Sequence, residues 1–281
     1  MIQKTVDKAH EVVAKAEKMP SISPIAIQLI MMVEDPAVGR QQIADTLGLD
    51  EVLAANVFKY GNSAAVGARK PFRSLVQVVD YVGFNTIKNI ALFVAARNSI
   101  TDKKLWFRTV FISIATKRFC AMLDQSVDAT DEAYMLALFH NLGSLVFKLF
   151  YEEEFKICQA EPGIHQRLAL ETEKFGINHL ELSATLLNKW GFPSNVIQQI
   201  LFQVDYHSHK YTKANAMVEL ARRMYEVQNG DNAEINKNDL QKAIAADDFT
   251  KVMAKHGLDK LDLSVDFLYG LTNAAESSCR A

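Results

Sequence analysis

Leu138-Phe-His-Asn-Leu-Gly-Ser-Leu-Val-Phe-Lys-Leu-Phe150 is the stretch that decides how this chain is read. Its apolar residues recur at three- and four-residue spacing, and strand-like alternation is missing. The pattern predicts a helix from Asp131 to Phe150, apolar on most of its faces and therefore buried. His140 lies inside that helix, one of seven histidines in the chain. An imidazole among apolar neighbours must find a hydrogen-bond partner or a ligand. Two readings are open at this point: a metal site, or a core histidine bonded to a carbonyl or a water.

The same helical spacing extends outward in both directions. Only 12 Gly and 6 Pro interrupt 281 residues, and β-branched runs are absent, so the fold class is all-α. Asp50, Ser74, Asn85 and Asn178 each stand where a side-chain oxygen can cap a following helix. Gly48, Gly83, Gly176 and Gly191 stand where helices end. Residues 63–73 read as a loop, and Lys103 to Leu123 reads as a long central helix. Hydrophobic residues make up 49% and charged residues 23%, the mix of a folded soluble chain rather than a disordered or fibrous one. The formal charge of −2 argues against nucleic acid as the partner, because polyanion binders carry a basic excess. Cys120, Cys158 and Cys279 form no CxxC pair, which argues for reduced thiols and a cytoplasmic location. The most apolar stretch, Ile87 to Ala96, is broken by Lys88 and Asn89 and is too short to span a bilayer, so no membrane is expected. No GxSxG, GxxxxGK[ST] or GxGxxG motif is present.

LFHNLGSLVFKLF resembles the signature helix of the HD superfamily of metal-dependent phosphohydrolases, in which the histidine is followed by aspartate. Further stretches narrow the likeness: Met19-Pro-Ser-Ile-Ser-Pro24, Tyr60-Gly-Asn-Ser-Ala-Ala-Val-Gly67, Pro71-Phe-Arg-Ser-Leu75, Tyr81-Val-Gly-Phe84, Gly176-Ile-Asn-His-Leu-Glu181 and Leu186-Leu-Asn-Lys-Trp-Gly-Phe-Pro193. In that order they resemble the HDOD domain, the HD-related output domain of bacterial signalling proteins, over about Met19 to His207. The resemblance implies a multi-helix bundle with an N-terminal helical half at 1–99 and an HD-like half at 100–209. Residues 210–281 are expected to form a helical C-terminal extension that folds back onto the body, since Met217, Leu220, Met224, Leu258, Leu261, Phe267 and Leu268 need burial.

The resemblance also marks where metal ligands would stand. The His-Asp pair is His140-Asn141 here, and an amide keeps an oxygen but loses the charge. The earlier ligand position falls near Arg108, whose guanidinium repels a cation. A later histidine pair corresponds to Gln203-Val204. Two unit charges near 4 Å repel by about 4 kcal/mol at an effective dielectric near 20, about three orders of magnitude in affinity. No catalytic or metal-binding residue is therefore expected, and His140, Asn141, Arg108 and Gln203 are vestigial HD positions. The expected cofactor is none. The alternative is a divalent metal such as Mn, Mg or Ni serving a phosphohydrolase that acts on nucleotides or related phosphoesters.

Arg108, His140, Asn141 and His179 are the candidate ligand-binding residues, suited to a phosphate-containing small ligand held without cleavage. Ordinary roles stand beside that reading: Arg108 paired with an acidic neighbour, and His179 bonding locally at a helix start. Asn62, Ser63, Arg69 and Arg73 are the candidate partner-binding residues for a signalling protein. The expected function is non-catalytic regulation in bacterial signal transduction.

Overall fold

The computed structural model describes all residues except 1, 17–23, 34, 63–65, 67, 100–102, 162, 191, 193, 229–238, 240, 243, 245–247, 262 and 281. Among the described residues every regular element is helical, as the spacing predicts. The chain divides into two compact units, Lys18–Thr101 and Met1–Glu17 with Asp102–Ala281. Unlike the expected division, the N-terminal helix groups with residues 102–281 rather than with residues 18–99; residues 210–281 fall in that same unit.

Helices α2 (Pro24–Val33), α3 (Arg40–Leu47), α4 (Glu51–Gly61), α5 (Leu75–Val82) and α6 (Phe84–Ser99) build the smaller unit. α2 packs on α3 and α6, α3 on α5, and α4 on α5 and α6. Leu29, Ile43, Leu47, Leu53, Val57, Val78 and Ile87 are fully shielded or nearly so at the centre. Two of the expected caps form: Asp50 accepts from Leu53 N at 3.0 Å, and Ser74 accepts from Gln77 N at 3.3 Å. Gly83 ends α5 at φ +80°, a conformation that favours glycine. Asn85 does not cap, because α6 already begins at Phe84, one residue after that glycine.

The larger unit holds α1 (Ile2–Ala16), α7 (Lys103–Met122), α8 (Val127–Phe139), α9 (Leu142–Phe150), α10 (Glu152–Gln159), α11 (Ile164–Phe175), α12 (His179–Lys189), α13 (Ser194–Leu201), α14 (Lys213–Gln228), α15 (Phe249–His256) and α16 (Val265–Arg280). α7 is its axis, with α8, α14 and α16 packed around it. Phe111, Phe119, Ile112 and Ala115 on α7 are completely buried. The extension contributes Met217, Leu220, Met224, Leu258 and Leu268 to this core, and Phe267 stacks on Phe119 with ring centres 6.0 Å apart. The segment Glu132–Phe150 is long and apolar enough to cross a bilayer, yet 72% of it is buried inside the protein, as befits a core element.

The helix expected over Asp131–Phe150 is two helices. It starts earlier, at Val127, because Ser126 accepts from Ala129 N at 3.3 Å. It then breaks at His140-Asn141, with Asn141 at φ −122° and ψ 20°. Side chains take backbone groups on both sides of the break. His140 Nδ1 lies 2.8 Å from Ala137 O, and Gly143 N donates to Ser183 Oγ at 2.7 Å.

Gly61 sets the approach of α4 to α5. A Cβ there would sit 2.6 Å from Val78 Cγ1. Gly61→Ala is expected to cost about 1–3 kcal/mol of overpacking against about 1 kcal/mol gained in helix propensity. In a urea-unfolding double-mutant cycle with Val78→Ala, the pair should show a coupling of at least about 1 kcal/mol in its favour. Additive effects would show that the two positions do not press on each other.

Candidate functional site

The break between α8 and α9 turns His140 and Asn141 toward a cavity of about 270 Å³ within the larger unit. Its lining brings together Arg108 from α7, His140 and Asn141 from the break, Glu171 from α11, His179 from α12 and Gln203 beyond α13. α14 closes it with Glu219, Arg222 and Glu226. A second cavity of about 340 Å³ shares Arg108, Asn141, Ser144 and Glu226 with the first and adds Lys104 and Lys148. The candidate ligand-binding residues Arg108, His140, Asn141 and His179 thus line one cavity.

The imidazole of His140 is 5% exposed, and burial, then the nearby charge of Arg108, pushes its pKa down to about 3. It is neutral at physiological pH. The carbonyl of Ala137 can only accept, so Nδ1 carries the proton and Nε2 presents a lone pair. Among the described residues, Nε2 is buried with no hydrogen-bond partner. Gln203 Nε2 donates to the backbone carbonyl of His140 at 3.0 Å, which fixes the corner from the other side.

Arg108 is the fixed positive charge. Its Nε is buried without a hydrogen-bond partner among the described residues. Glu226 faces it at 3.7 Å, beyond hydrogen-bond length, and the ring of Tyr225 lies 5.9 Å from the guanidinium carbon. Both ordinary readings of the sequence therefore have a counterpart: Arg108 has an acidic neighbour, and His140 has its carbonyl. His179 is held by Glu171, whose Oε2 receives the backbone N–H at 2.9 Å and lies 2.7 Å from Nδ1. Asn178 caps α12 in a reciprocal arrangement with Glu181, accepting from Leu180 N and Glu181 N at 3.0 Å. That cap puts His179 at the first turn, facing Glu171.

α14 contributes a charge network that the sequence reading did not include. Glu219 accepts from Arg222 Nε at 2.7 Å, from Arg223 Nε at 2.8 Å and from the Tyr206 hydroxyl at 3.0 Å. Burial works to raise the pKa of Glu219, but the two arginines hold it below the usual carboxylate range. Arg222 also bonds Glu226. The visible signal was Glu219, Arg222, Arg223 and Glu226 at three- and four-residue spacing in an otherwise apolar helix, which is costly to bury unless the charges pair.

The other candidate residues stay outside this cavity. Asn62 is structural: its Oδ1 accepts from Phe72 N at 2.7 Å and its Nδ2 donates to Phe58 O at 3.1 Å. Arg69 and Arg73 are exposed on the smaller unit, and Ser63 lies outside the described residues.

A catalytic divalent ion does not fit this donor set. Two imidazoles on the cavity have the character of ligands, His140 with its ring oriented by a backbone carbonyl and His179 with its ring oriented by the Glu171 carboxylate. Around them stand the guanidiniums of Arg108, Arg167 and Arg222, side-chain amides that include Asn141 and Gln203, and carboxylates engaged with His179 or with arginines, of which Glu171 keeps one oxygen without a partner among the described residues. Among the described residues no three His, Cys, Asp or Glu side chains are placed to hold a metal.

Residues 19–206 match the HDOD domain family, and the chain belongs to it. An uncharacterized protein of Treponema pallidum is 28% identical over 209 residues, covering 70% of this chain and 40% of that protein. This chain thus spans well under half of that relative's length. An HDOD domain protein of unknown function from Geobacter sulfurreducens superposes with a TM-score of 0.66 at 18% identity, covering 100% of this chain and 97% of that one. A candidate phosphohydrolase from Shewanella amazonensis gives 0.65 at 17% identity, with 95% and 93% covered. A candidate signal transduction protein from Marinobacter aquaeolei gives 0.64 at 18% identity, with 99% and 66% covered. At these identities the structural likeness is one of fold.

The depressed pKa of His140 has a measurable consequence. Below about pH 6.5 the unfolded chain takes up a proton that the folded chain refuses until about pH 3. The stability is full above 6.5 and falls with pH through that window, by about 1.4 kcal/mol per pH unit. His140→Asn keeps a donor for Ala137 O and does not titrate. Between pH 6.5 and 5, urea unfolding should show the wild type losing about 2 kcal/mol more than His140→Asn. Parallel losses would place the imidazole in water.

Proposed function

We propose that this HDOD chain is a non-catalytic regulatory module of bacterial signal transduction that holds a phosphate-containing small ligand in its remnant HD cavity. The observation that carries the reading is Arg108: a guanidinium lies in the cavity where a cation would need ligands, with Asn141 and Gln203 beside it. Fixed positive charge and neutral amides suit a phosphate, which forms charge-assisted hydrogen bonds with a guanidinium. The outer cavity sharpens this, because Lys104, Lys148 and Arg108 line it against one carboxylate, Glu226. The bacterial relatives and the signal transduction assignment of the Marinobacter protein support the same setting. A protein partner would then read the liganded state.

The opposing reading is a metal-dependent phosphohydrolase, the activity suggested for the Shewanella protein. A panel of phosphomonoesters and nucleotides with added Mn, Mg or Ni decides between them. The expected result is no turnover above buffer, together with calorimetric binding of inorganic phosphate that is lost in Arg108→Gln. Turnover that disappears in His140→Asn would contradict the proposal.

A further inference from the structure

The cavity contains two kinds of unmet demand, and a bare anion answers only one of them. Arg108 Nε has no hydrogen-bond partner among the described residues, and the guanidinium meets the Glu226 carboxylate only at 3.7 Å. That is a demand for negative charge. His140 Nε2 and Glu171 Oε1 are buried acceptors with no partner among the described residues. Those are demands for hydrogen-bond donors set apart from the charge: the phosphoryl group of a phosphomonoester dianion has no O–H, and the O–H that hydrogenphosphate keeps sits on the anion itself. Leaving such groups unpaired is costly, and a molecule that supplies both an anion and hydroxyl donors removes the cost on both sides.

The anion position is partly occupied by the chain itself. Glu226 reaches Arg222 and stands 3.7 Å from Arg108. Its side chain is 50% exposed, and it lies two residues from the end of α14, where a helix frays most readily. Glu219 is different: it is 7% exposed and held by both Arg222 and Arg223. Glu226 is therefore the carboxylate that can leave.

We propose that the two cavities form one site for a hydroxyl-bearing phosphomonoester, whose phosphate takes Arg108 from Glu226 and whose hydroxyls reach His140 Nε2 and Glu171 Oε1. This rests on the reading of the cavity as a phosphate site and adds what the rest of the ligand must be. Release of Glu226 frees the last turn of α14, a segment beyond the residues that match the HDOD family, so that ligand occupancy is read out in the extension. The coupling is reciprocal: whatever holds Glu226 on the arginines weakens the ligand, and the ligand weakens that hold.

Calorimetry with inorganic phosphate and with ribose 5-phosphate, on the full chain, tests this. Wild type should bind ribose 5-phosphate about tenfold more tightly than phosphate, as expected for two restored hydrogen bonds. His140→Asn should keep its affinity for phosphate and lose most of the advantage of the sugar. Glu226→Gln should tighten both by about threefold or more, since a carboxylate competitor becomes a neutral amide. Hydrogen exchange in residues 222–228 should speed up when phosphate saturates the wild type. Equal affinity for the two probes overturns the hydroxyl requirement. An unchanged affinity in Glu226→Gln, or unaltered exchange in α14, overturns the displacement while leaving phosphate binding intact. Failure of the wild type to bind either probe, with circular dichroism showing a folded chain, overturns the phosphate site itself.

Discussion

The site depends on the place where α9 crosses α12 with no side chain between them. A Cβ on Gly143 would fall 2.1 Å from the backbone oxygen of His179, so only glycine allows this approach. Ser183 fastens the crossing: its Oγ accepts from Gly143 N and donates to His179 O, each at 2.7 Å. The contact fixes where the α8–α9 break can lie relative to the first turn of α12. His140 and Asn141 on one side, and His179 with its partner Glu171 on the other, consequently line a common cavity. The electrostatics of the cavity follow from that juxtaposition and from the faces that α7 and α14 present to it.

The charges in the cavity form a graded series rather than a uniform field. Glu219 is buried and satisfied three times over, and it serves as an anchor for Arg222, Arg223 and Tyr206. Glu171 spends one oxygen on His179 and keeps the other without a partner among the described residues. Glu226 is half exposed and faces Arg108 from beyond hydrogen-bond length. The least satisfied group is thus the guanidinium that stands where the HD resemblance calls for a histidine. A neutral, strongly shielded imidazole beside it is what burial and like charge together require.

Much of this was legible in the sequence, for reasons that are local. Helical spacing and side-chain caps are near-neighbour effects, so Asp50, Ser74 and Asn178 announced their helices correctly. The family likeness rested on ordered motifs and placed Arg108, His140, Asn141, His179 and Gln203, which the fold does bring to one cavity. The break at His140-Asn141 was not legible, because an apolar run reads as continuous helix whatever its side chains bond to. It depends on Ser183, forty residues away along the chain. The wall supplied by α14 was missed for the same reason: Glu219, Arg222 and Glu226 gain meaning only when a distant helix packs across the cavity. Asn62 is again local: a residue of a type that closes turns holds this one through both ends of its side-chain amide.

A manganese titration followed by electron paramagnetic resonance tests most directly whether this cavity excludes a divalent ion. The free six-line signal of Mn(II) should be as strong with the protein as in buffer, and His140→Asn should behave like the wild type. Loss of one or two equivalents of that signal in the wild type, restored in His140→Asn, would contradict the account.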